Sequence, residues 1–182
     1  MAMSQNEAAQ SLREVAEAQK RSAEAYGYNQ SAPYFFIWGL AWAAGYGGEA
    51  FLLRYPGWIW ASVVLAGMAA SLLTAMVQNR RRGRSGWRMG VLFFVIYAFT
   101  AALFAVMRPV NGIQVGAYFP LLFAALYVGV GLWLGLRYII VGVVLAAATM
   151  CAYFFLHDYF FPWMAIVGGG FLILTGFWLR QA

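Results

Sequence analysis

The sequence predicts an all-α polytopic membrane protein with six transmembrane helices and both termini in the cytoplasm, preceded by a cytoplasmic amphipathic helix. Three observations lead there. Six long apolar runs, residues 34–53, 57–77, 89–107, 117–136, 138–156 and 160–179, are each close to the length that crosses a hydrocarbon layer of ~30 Å. Hydrophobic residues make up 64% of the 182 and charged residues 10%, and the mean hydropathy of +0.70 is too high for a soluble domain of this size. The positive charges fall between the runs unevenly, and that bias orients the chain.

Residues 1–32 form the first unit and residues 33–182 the second. The polar first unit lacks the basic start, short apolar stretch and small-residue cleavage site of a secretory signal, so no cleavage is expected. Ser4 followed by Glu7 is a capping-box pattern, in which hydroxyl and carboxylate satisfy free backbone donors at a helix start. The helix is expected to end at Tyr26, ahead of Gly27. Ala8, Leu12, Val15, Gln19, Ser22 and Tyr26 draw a weakly apolar stripe along it, and Glu17 and Arg21 form an i,i+4 pair. Small side chains enter lipid poorly, so the stripe over residues 4–26 is read as solvated or self-packed, with docking of a cytoplasmic protein partner as the alternative.

Pro33 opens the first span, where a missing N–H does no harm. Trp38, Trp42 and Tyr46 follow at i,i+4 spacing. Tyr34 and Trp38 at one end, and Tyr55, Trp58 and Trp60 at the other, read as headgroup-level anchors. Arg54-Tyr55-Pro56-Gly57 makes a tight turn into the second span. The next connection carries Arg80, Arg81, Arg82, Arg84 and Arg88 and should stay in the cytoplasm. With that side fixed, ten positive residues lie inside, against Arg54 and Arg108 outside. The arginine loop is also expected to meet anionic lipid headgroups, which accounts for the +6 net charge without nucleic acid. Between the fourth and fifth spans Arg137 is the single charge, so the chain turns almost without a loop. Gly131 and Gly135 loosen the backbone there, and Arg137 snorkels to the surface.

At an offset of 84 residues Tyr34, Phe35, Gly45 and Gly47 match Tyr118, Phe119, Gly129 and Gly131. Three spans per half would make this an inverted 3+3 repeat, with the four glycines as candidate helix breaks near a transport site. The competing reading is close helix packing through small residues, a pattern seen also at Gly39, Ala43 and Gly47 and at Ser62, Ala66 and Ala70, which also makes a homo-oligomer conceivable.

Glu49 is the acidic residue inside a span, and an intramembrane carboxylate needs a partner or water. Arg54, Arg108, His157 and Asp158 fall on the same predicted side, so a polar cluster around Glu49 is expected. It would be a proton- or ion-responsive site or the mouth of a polar pathway, or else Glu49 simply pairs with Arg54. No metal site is expected, because adjacent loops would have to converge at ligand distances. The lone Cys151 excludes an internal disulfide. No span holds a Lys for a retinal-type Schiff base, and one His cannot supply two axial haem ligands, so no cofactor is expected. Phosphate-loop, zinc-protease and nucleophile-elbow motifs are missing from the sequence, which argues against catalysis.

A polar Gln/Glu/Arg-containing helix followed by Y-F-F-I-W-G-L-A-W at residues 34–42 resembles uncharacterised small bacterial six-span inner-membrane proteins over about the first 60 residues. The resemblance implies an inner-membrane location and carries over no catalytic residue, substrate or mechanism. Eleven arginines against Lys20, with abundant Ala and Gly, also suit a bacterial source. The expected role is therefore non-enzymatic, structural or regulatory, through protein or lipid contacts. The alternative is a small-solute or ion transporter or channel.

Overall fold

The computed structural model describes residues 5–52, 56–80, 87–109 and 111–181, and among these it is helical with no strand. Helix α1 spans Gln5–Phe51, α2 Pro56–Arg80, α3 Trp87–Met107, α4 Gly112–Leu134 and α5 Leu136–Phe155. A 3-10 turn at His157–Tyr159 leads into α6 (Phe160–Trp163), a π-helical stretch at Met164–Gly169, and α7 (Gly170–Arg180). Ser4, Arg54, Tyr55, Arg81, Arg82 and Arg84 lie outside the described residues, so the capping box, the Glu49–Arg54 pair and most of the arginine loop do too.

Among the described residues, four helices are long and apolar enough to cross a membrane: Gly57–Gln78, Gly112–Leu134, Leu136–Phe155 and His157–Arg180. Their outer faces carry large apolar groups in the open, such as Trp133 (80% exposed) and Phe155 (81%). Such a surface is costly in water and at ease in hydrocarbon.

Helix α1 does not end at Tyr26 as its sequence suggests; it runs unbroken through Gly27 and Pro33 for 47 residues, about 70 Å. The sequence signals for a stop are overridden by packing. Tyr28, Ala32 and Phe35 are buried, so this part of α1 is already docked on the bundle. Carbonyls near the proline gain outside donors: Gln78 Nε2 donates to the Gln30 carbonyl at 3.2 Å, and the Tyr138 hydroxyl to that of Gly27 at 3.4 Å. Gln78 also accepts from the Tyr34 hydroxyl at 3.3 Å, which takes Tyr34 into the protein rather than leaving it solely as an interfacial anchor. Further toward the N-terminus, Gln10 to Ala23 are exposed, Leu12 and Val15 of the stripe included, and the Glu17–Arg21 pair forms at 3.4 Å.

Two antiparallel glycine seams hold the rest. In the first, Gly131 faces Ile139 and Gly142 faces Ala124 and Val128, so α4 and α5 run backbone to backbone. In the second, Gly39 faces Gly169 and Ile173, and Gly169 faces Ala43, so α1 closes on the last segment. This is the small-residue packing of helices in lipid.

The turn between α4 and α5 is the single residue Gly135, at φ 121, two residues ahead of Arg137. Arg137 does more than snorkel. Its Nη1 donates to the Trp178 carbonyl at 2.7 Å, near the C-terminal end of α7 where a cation is favoured, and its guanidinium lies over the rings of Tyr28 and Trp178 at 5.3 and 5.0 Å. Gln30, Gln78, Gly135, Arg137 and Trp178 thus gather at one end of the bundle. Glu49, Gly112 and Phe161 meet at the other.

Candidate functional site

Near that second end α1, α2, α3 and α4 enclose a partly open cavity of about 470 Å³. One face of α1 supplies Trp38, Trp42, Tyr46 and Glu49, at spacings of four, four and three residues. From Trp38 to Glu49 the wall is about 16 Å long by helical rise. Trp60, Ala61 and Val64 come from α2, Tyr97 from α3, and Gly112, Gly116, Phe119 and Phe123 from α4. The rings brace one another edge-on: Tyr46 against Trp60 at 4.8 Å, Trp42 against Tyr46 at 6.0 Å, and Trp42 against Phe123 at 6.2 Å. Trp38 and Trp60 are therefore cavity walls and not the headgroup anchors that their positions near span ends suggest, whereas Trp58, 78% exposed, fits the anchor reading.

The half-buried Glu49 carboxylate accepts a hydrogen bond from the Trp60 indole N–H, Oε2 to Nε1 at 2.6 Å. That contact explains how a carboxylate is tolerated there: a neutral donor on the neighbouring helix satisfies it. Of the polar cluster expected around Glu49, Arg54 lies outside the described residues. Among the described residues, no hydrogen bond or ion pair joins Glu49 to Arg108, His157 or Asp158, and no three His, Cys, Asp or Glu side chains come together as metal ligands. The cause is direction. Glu49 turns inward to Trp60, while His157 and Asp158 sit exposed on the 3-10 turn, His157 against the Tyr153 ring, and Arg108 is exposed at φ 46 where α3 ends.

Nor do the candidate breaks break. α1 runs unbroken through Gly45 and Gly47, and α4 through Gly129 and Gly131. A Cβ on Gly45 would strike the Trp60 ring at 2.8 Å and one on Gly131 the Ile139 backbone at 2.7 Å, whereas at Gly129 nothing lies within 4 Å and at Gly47 only the Ala165 Cβ at 3.9 Å. Positions matched at the offset of 84 thus serve different ends. The departure from α-geometry comes instead in the last segment, at Met164–Gly169, where an added residue turns Gly168 and Gly169 toward α1.

Tyr46 carries a second polar contact that spacing alone does not reveal. Its buried hydroxyl donates to the Gly116 carbonyl at 2.6 Å. Pro120 follows Gly116 by four residues and has no N–H, so within α4 that carbonyl loses its usual donor and Tyr46 replaces it. Tyr46→Phe should destabilise the protein by about 1 kcal/mol in detergent melts. In a Pro120→Ala background, where the helix can make its own bond, the same change should cost close to nothing. Equal costs in the two backgrounds would refute the substitution of one donor for the other.

The signal for this site in the sequence is the placing of three aromatic residues and a carboxylate, Trp38, Trp42, Tyr46 and Glu49, on one face of α1. Compared with protein-family models, curated proteins and solved structures, the chain finds no match in any of the three.

Proposed function

We infer that this is a bacterial inner-membrane protein that crosses the bilayer six times with both ends cytoplasmic, and that its aromatic cavity binds a small, largely apolar molecule taken from the bilayer. The binding reading rests on one observation: a concave site of about 470 Å³, within the range of small-molecule pockets, with aromatic walls and a single carboxylate. Six crossings count the apolar half of α1 and α3 with the four long helices. They are supported by the alternation of turns between the two ends, which puts Arg137 and Arg180 at the end where Gln78 leads toward the arginine loop.

Access is lateral. An open apolar groove between α2 and α3, floored by Leu65, Met68 and Phe94, shares Ala61, Val64 and Tyr97 with the cavity, so Tyr97 stands between lipid and the interior. The role is binding or passage rather than catalysis, since among the described residues the lining offers no second carboxylate, histidine, serine or cysteine to act with Glu49.

The test is saturable binding of 1-aminonaphthalene to the detergent-solubilised protein, read by its fluorescence. Ala61→Phe, which places a ring at the mouth shared by groove and cavity, should weaken binding at least about tenfold. Ile166→Phe, on an exposed face, should not. Equal affinity in both variants would place the probe elsewhere and remove the cavity from the function. A second reading, a contact role for the uncovered stretch Gln10–Ala23, separates in the same assay. Removing residues 1–23 should leave binding intact, and a loss would tie that stretch to the site.

A further inference from the structure

We propose that the ligand of this cavity is a hydrophobic organic cation, with Glu49 as its counter-charge. This rests on the reading of the cavity as a ligand site and names the class of molecule it takes. Two features converge on it. Ring faces attract positive charge, and here Trp38, Trp42, Tyr46, Trp60 and Phe123 surround one space. At the end of that space stands a carboxylate. Trp60 holds its Oε2, while Oε1 lies beside the bare backbone of Gly112, 3.6 Å from where a Cβ would stand. Among the described residues no Arg, Lys or His pairs with it, and the partner they supply is a neutral donor.

Other classes fit less well. A bare or hydrated inorganic cation would find one carboxylate and otherwise apolar walls, far short of the six or more oxygens that hard cations collect. An anion would be repelled by the Glu49 carboxylate, and two of the lining's donors are already committed, the Trp60 N–H to Glu49 and the Tyr46 hydroxyl to the Gly116 carbonyl. A wholly neutral hydrocarbon, a lipid tail included, would leave the carboxylate unused in a site that has gone to the trouble of orienting it. An amphiphilic cation uses both features: its apolar body fills the aromatic wall, and its charge lies toward Glu49.

Tetraphenylphosphonium and tetraphenylborate test this directly, since they share shape and apolarity and differ in the sign of charge. Equilibrium dialysis against the full-length protein in detergent, with detergent-only controls, should show the phosphonium binding at least about tenfold more tightly. Glu49→Gln keeps an acceptor for the Trp60 N–H while removing the charge, and should abolish that preference while leaving the melting temperature near that of the parent. Equal affinity for the two ions, a preference for the borate, or a phosphonium preference untouched by Glu49→Gln overturns the cation assignment and leaves an apolar cavity standing. Failure of both ions to bind saturably, together with failure of 1-aminonaphthalene, overturns the cavity reading itself.

Discussion

Gly135→Ala should lower the stability of the folded protein by about 4 kcal/mol, the sum of two independent costs. At φ 121 and ψ 159 the residue occupies a backbone region that side chains with a Cβ rarely adopt. A Cβ there would also run into the Tyr28 hydroxyl, with the Tyr28 ring carbon behind it at 2.9 Å and the Glu24 carboxyl at 3.4 Å. The nearer neighbour cannot retreat easily. Tyr28 is buried and tilted against Tyr138 with ring centres 5.3 Å apart, and Tyr138 is itself held by the Ser31 hydroxyl at 2.6 Å. The check is thermal unfolding in mild detergent, with Tyr28→Phe as the second mutation. Removing the hydroxyl should return part of the loss in the double variant and leave the backbone part. Should Gly135→Ala melt with the parent protein, the one-residue turn between α4 and α5 is not as described.

The second large effect is expected at Gly142→Val, at about 3 kcal/mol. A Cβ at Gly142 would lie 2.5 Å from the Ala124 carbonyl oxygen and 2.9 Å from the Val128 nitrogen, so the obstacle is the backbone of α4, which cannot rotate aside as a side chain can. The two helices would have to separate, and with them the packing of Val141 and Leu145, both fully buried. Gly129→Val is the natural control. It lies in the same helix pair with nothing within 4 Å of its Cβ position, and it should melt within about 0.5 kcal/mol of the parent. If the two variants lose stability equally, close approach of α4 and α5 is not the cause.

These glycines show where sequence reading succeeds and where it stops. The tight turn near Arg137 was legible, because two apolar runs with one charge between them have no room for a loop. Its placement at Gly135 was not, since Gly131 stands close by and only the φ of one and the Ile139 contact of the other tell them apart. Packing at Gly39 and Ala43 was likewise legible as a small-residue pattern. The partner, the π-helical glycines of the last segment, was not. At the site, Glu49 stood out as a carboxylate inside an apolar run. Pairing it with Arg108, His157 and Asp158 assumed that residues at one end of a bundle meet, and the inward turn to Trp60 shows that they need not.

By itself the sequence determined the solvent this chain is built for and the helical character of every described segment, because the length and apolarity of a run are properties of that run alone. It also determined that Glu49 would need a partner, since the cost of a carboxylate in an apolar run does not depend on the fold. Only the tertiary structure decided which partner that is. It likewise decided that α1 passes through Gly27 and Pro33 without a break, and that Tyr46 serves the carbonyl that Pro120 strands on another helix. Each of these turns on which side chain from a distant part of the chain arrives beside a backbone or charged group. Short-range pattern carries no term for that meeting.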